Sequence, residues 1–105
     1  MKKHLSLLAL GAMLLIPSMA AAHSPICDCS DNGDNTITCE GGFSDGSSAS
    51  GVRVTVVDGS GKELLAGKMN QDSEYTFDKP QGDYKVIFDA GDGHNIEVDG
   101  KNIVE

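Results

Sequence analysis

The 105-residue sequence has no tryptophan, and its aromatic side chains are three Phe and two Tyr. Both tyrosines fall on the apolar side of alternating stretches, so no row of exposed rings is on offer for stacking sugars. Positive charge is equally scarce. Eight Lys and Arg stand against 16 Asp and Glu, a formal net charge of −8. A chain this acidic lacks the cationic footprint of nucleic-acid binding and is not drawn to an anionic membrane surface. Sustained helical periodicity is missing too. Together with the glycine content, this excludes a coiled coil, a collagen and a helical bundle. The length suits one domain, not two.

Long apolar runs are also missing, with one exception. Residues 5–16 are apolar, follow Lys2 and Lys3, end at Pro17, and lead into Ser18-Met19-Ala20-Ala21-Ala22. That is the basic, apolar and small-residue order of a secretory signal, too short to span a bilayer as a helix. Cleavage after Ala22 is preferred and would start the mature chain at His23; cleavage after Ala20 is the competing register. The expected organisation is therefore a signal peptide over residues 1–22 and a single domain over residues 23–105. The expected location is periplasmic or extracellular, with no membrane insertion after cleavage. In an oxidising compartment, Cys27, Cys29 and Cys39 are disulfide candidates first.

The remainder alternates between strand patterns and turn signals. Val52-Arg53-Val54-Thr55-Val56 has period two and is rich in β-branched residues, as a half-buried strand requires. Asp58-Gly59-Ser60-Gly61 is a hairpin turn and residues 62–67 are the returning strand. Tyr75 and Phe77 share a face, as do Tyr84, Val86 and Phe88, and then Ile96 and Val98. A short run at residues 36–40 precedes a break at Gly41-Gly42, and residues 101–104 form a last short run. The expected fold is all-β, a small antiparallel seven-strand sandwich of the Ig-like or transthyretin-like type. Its expected core is Ile37, Phe43, Val52, Val54, Val56, Leu64, Tyr75, Phe77, Tyr84, Val86, Phe88, Ile96 and Val98.

The run from Gly51 through Asp58-Gly59-Ser60-Gly61-Lys62, then Glu74-Tyr75-Thr76-Phe77, then Gly82-Asp83-Tyr84-Lys85-Val86, resembles the carboxypeptidase-regulatory-like, Cna-B-type sandwich. Where that family usually has a glycine before its aromatic strand, Ser73 stands here. Relatives of this sandwich include carbohydrate-binding modules. More narrowly, Ala22-His23, Asn32-Gly33-Asp34, Gly42-Phe43-Ser44-Asp45-Gly46, the Asp58–Lys62 hairpin and Ala90-Gly91-Asp92-Gly93-His94 resemble the periplasmic accessory subunit of nickel/cobalt energy-coupling-factor transporters. That resemblance implies metal handling beside a membrane transporter subunit or another periplasmic protein.

The residues able to carry such chemistry are few. At a mature N-terminus, the His23 amine and imidazole would chelate one ion; Ni²⁺, Co²⁺ and Cu²⁺ all accept nitrogen donors, with Ni²⁺ and Cu²⁺ high in the affinity order. His94 is a second candidate ligand. Cys27 and Cys29 share a face of an extended segment, so either Cys27–Cys39 or Cys29–Cys39 is feasible. Cys27–Cys29 would close too small a ring, and one thiol is left over. A soft-metal site of His23, Cys27, Cys29 and Cys39, selecting Cu(I) or Zn, is the rival reading. The serines cluster in Gly-rich turns and no nucleophile–base pattern is visible. The sequence therefore points to a non-enzymatic accessory or binding protein. One form handles a transition metal. The other is a structural or partner-binding module, for protein or carbohydrate, with a disulfide and no metal.

Overall fold

The computed structural model describes residues 24–91 and 93–105. The expected signal segment, residues 1–22, and His23 lie outside the described residues. Seven strands follow in order: β1 (Pro25–Asp31), β2 (Thr36–Phe43), β3 (Arg53–Asp58), β4 (Glu63–Lys68), β5 (Glu74–Asp78), β6 (Tyr84–Asp89) and β7 (Asn95–Asp99). A 3₁₀ turn, Gly100–Asn102, comes last. The strands form two sheets, β1-β2-β5 and β4-β3-β6-β7. Every pairing among the described residues is antiparallel. This is a two-sheet all-β sandwich consistent with an Ig-like or transthyretin-like fold. The edge strands are β1, β5, β4 and β7.

The core forms where the period-two faces meet. Ile37, Cys39, Val54, Val56, Val86 and Phe88 are completely buried, with Phe77 and Tyr84 nearly so. Phe43, Val52, Tyr75, Ile96 and Val98 are half-buried against them. Three buried residues come from irregular stretches: Ala49, Met69 and Ile103.

Leu64 is a correction to the expected core, because it is 41% exposed. Val56 pairs with Leu65 and Val57 with Glu63, so Leu64 is the extra residue of a β-bulge and loses its inward place. The extended Cys-bearing segment is a full strand, β1, paired along its length with β2. The expected strand at residues 101–104 is instead curled. Asp99 accepts the Lys101 N–H at 3.2 Å, and Ile103 donates to the Gly100 carbonyl at 3.1 Å. The expected break at Gly41-Gly42 is also absent, because β2 runs through to Phe43. Gly41 serves close approach: a Cβ there would stand 2.6 Å from the Phe88 ring.

Candidate functional site

The chemistry-bearing side chains that the fold brings together are the three cysteines. The pleat of β1 turns Cys27 and Cys29 to its half-buried side and leaves Ile26, Asp28 and Ser30 exposed. Antiparallel pairing places Cys29 directly opposite Cys39 of β2. The two form a disulfide, with Cα atoms 3.9 Å apart and S–S 2.02 Å. Cys27 is the free thiol, with its sulfur 4.0 Å from that of Cys29. All three sulfurs lie within 4.8 Å of one another. Burial, and then the neighbouring Asp28 charge, pushes the Cys27 thiol up to about 11.

The hairpin between β1 and β2 selects this pairing. Gly33 and Asn35 both take left-handed backbone, at φ 82° and 73°. The Asp31 carboxylate accepts the Gly33 N–H at 2.9 Å, and the Asp34 carboxylate accepts the Thr36 N–H at 3.1 Å. The Asn32 amide donates to the Thr36 and Thr38 hydroxyls at 3.0 and 2.8 Å. Those bonds fix the register at Asp31↔Ile37, which puts Cys29 rather than Cys27 across from Cys39. Lys79 anchors the strand end through a 2.8 Å bond to Asp31. Its ammonium, with the Gly33 N–H, holds the Asp31 carboxyl below the usual carboxylate range.

His94 lies apart from the cysteines, on the exposed loop between β6 and β7. Its backbone N–H donates to the Gly91 carbonyl at 2.9 Å, closing the loop. Its side chain borders an open depression that it shares with Phe43, Ser47 and Ala90. It belongs to no group of three potential ligands among the described residues. His23, the other candidate ligand, lies outside those residues.

A second feature is the outer edge of β4. Among the described residues the exposed large apolar side chains are Ile26, Leu64, Leu65 and Val104. Two of these four are sequence neighbours on one edge strand, β4. Leu65 is 38% exposed although it shares the inward side with its partner Val56, because no further strand lies beyond it in the sheet. The adjacent Leu64-Leu65 in an alternating strand was the signal in the sequence. One of two consecutive leucines must leave the inner face. At the start of the strand, the Asp58 carboxylate accepts the Ser60 hydroxyl at 2.7 Å and the N–H groups of Ser60 and Lys62 at 2.9 Å. The Ser60 hydroxyl and the Lys62 N–H together hold its carboxyl below the ordinary range.

No family model matches this chain, and neither a curated protein nor a solved structure matches it. The family resemblances read from the sequence therefore rest on its short motifs, with no matching family, protein or structure behind them. What the structure supports is the sandwich and its structural disulfide.

Proposed function

We propose that the chain is an exported, non-enzymatic binding module. It is a disulfide-stapled sandwich that offers its β4 edge to an extended segment of a protein partner. The observation behind this reading is Leu64 and Leu65, consecutive and both exposed on an edge strand whose outer side has no partner in the sheet. An incoming strand pairs with the outward N–H and C=O groups of β4 and covers both leucines. The other edges are acidic and repel an acidic segment: Asp28 and Asp31 on β1, where Pro25 also removes a donor, Glu74 and Asp78 on β5, Glu97 and Asp99 on β7. β4 and its lead-in carry Lys62 and Lys68 against one acid, Glu63, in a chain of net charge −8. An apolar segment flanked by acidic residues is the partner chemistry that fits.

Affinity capture from a periplasmic extract tests this. A partner that withstands chelator and is lost with Leu65→Asp is the expected result. A partner released by chelator, or retained by Leu65→Asp, contradicts it.

The metal-handling alternative, with Ni²⁺, Co²⁺ or Cu²⁺ passed to a transporter subunit, is supported by the exposure of His94 on its loop. Calorimetric titration of the processed protein with the three ions separates the two readings. An affinity that falls in His23→Ala and His94→Ala would transfer the account to metal handling.

A further inference from the structure

We propose that reduction of the Cys29–Cys39 bond turns the three-cysteine cluster into a trigonal thiolate site for one Cu(I) ion, and that re-forming the bond expels it. This goes beyond the partner-binding reading and does not depend on it. Three sulfurs held about 2.3 Å from one ion stand roughly 4 Å from each other. Cys27 and Cys29 already have that separation, 4.0 Å, and Cys39 completes a set confined within 4.8 Å. Reduction frees both sulfurs of the Cys29↔Cys39 pair, which face each other across β1 and β2. The donors are all soft and number three, which favours Cu(I) over an ion that wants a fourth ligand or oxygen donors. No His, Asp or Glu joins the group among the described residues.

The redox step balances with a dithiol as reductant. Its thiolate attacks the Cys29 sulfur, which is half-buried on an edge strand, whereas Cys39 is fully buried. The Cys29–Cys39 bond breaks and Cys39 leaves with the electron pair, taking up a proton. The second thiol of the reductant then attacks the mixed disulfide, releases Cys29, and the reductant departs as a cyclic disulfide. Cu(I) next replaces the three S–H protons, which pass to solvent. In reverse, an oxidising disulfide accepts the two electrons as it becomes two thiols, Cys29 and Cys39 rejoin, and the ion loses two of its three ligands.

The test is an anaerobic titration of the purified chain with Cu(I) against a chromophoric Cu(I) chelator, in oxidised and phosphine-reduced forms. One Cu(I) per reduced chain is expected, with the oxidised chain leaving the chelator complex intact. X-ray absorption should report three sulfur neighbours. Cys27→Ser leaves the disulfide in place, so it folds. After reduction it should lose more than the roughly 10- to 100-fold that an outer-shell change costs. Equal binding by oxidised and reduced chains, undiminished binding by Cys27→Ser, or two sulfur neighbours would overturn the proposal. So would a reduced chain that loses its β-sheet circular dichroism and does not regain it with Cu(I).

Discussion

The backbone N–H of the buried Ala49 donates to the Ser73 hydroxyl at 2.9 Å, and Ser73 holds a left-handed backbone, φ 63°. The bond gives a non-glycine residue a reason to occupy a conformation that glycine adopts freely. The Ser73 carbonyl also accepts the Gly41 N–H at 2.8 Å, so this one turn joins the 43–52 loop to β2. Ser73→Ala keeps the backbone strain and orphans the Ala49 N–H. Urea denaturation should show a loss of about 1–3 kcal/mol. Ser73→Gly orphans the same group but relieves the strain, so its loss should be the smaller of the two. The opposite order would mean that the left-handed backbone at position 73 holds no strain for glycine to relieve.

Removing the staple has a different signature from removing the spare thiol. Cys39→Ser and Cys29→Ser each open a loop of separation 10 and should cost about 3 kcal/mol by loop-closure entropy. Cys27→Ser breaks no covalent bond and should cost less than about 1 kcal/mol. Non-reducing peptide mapping should find Cys29 linked to Cys39 and Cys27 alkylatable. A Cys27–Cys39 linkage would contradict the hairpin register.

Cys27 also makes stability depend on alkaline pH. Its folded thiol is raised from 9.0 to about 11, so between those values the folded chain holds a proton that the unfolded chain has released. The stabilisation is fully present below pH 9 and falls as pH rises towards 11. Denaturation midpoints measured across that window should decline, and Cys27→Ser should flatten part of the decline. Native alkylation at pH 8 should be slower than in denaturant by up to about 100-fold, from the thiolate fractions alone.

At Gly41 the space is already occupied. A Cβ would lie 2.6 Å from Phe88 Cε1 and 3.1 Å from both Ala49 Cβ and Met69 Cε. Gly41→Ala should therefore destabilise by about 1–3 kcal/mol, read by thermal denaturation. Gly42→Ala, with open space at its Cβ, should cost less. Equal losses would mean that strand propensity, not crowding, governs both positions.

Period-two patterning made the sandwich legible, because alternating β-branched and aromatic residues leave few other ways to bury one face. It did not disclose the bulge at Leu64, which depends on pairing with β3 and has no local signature. It showed the extended segment that carries Cys27 and Cys29 but not its register against β2, which depends on the intervening hairpin. Gly41-Gly42 looked like a break because local propensity says so, whereas the Phe88 ring demands a missing side chain. For the cysteines, face-sharing narrowed the disulfide to two pairings, and the hairpin's Asp31 and Asn32 bonds selected one. His94 was visible as a residue type, but its distance from the cysteines is a property of the topology.

We propose that β4 is where this protein meets its partner. Photo-crosslinking in cells tests it most directly, with a benzophenone amino acid placed at position 65 on β4 or at position 97 on β7. A discrete heavier adduct from position 65 that persists in chelator is expected, with none from position 97. No adduct from position 65, or an equal one from position 97, would contradict it.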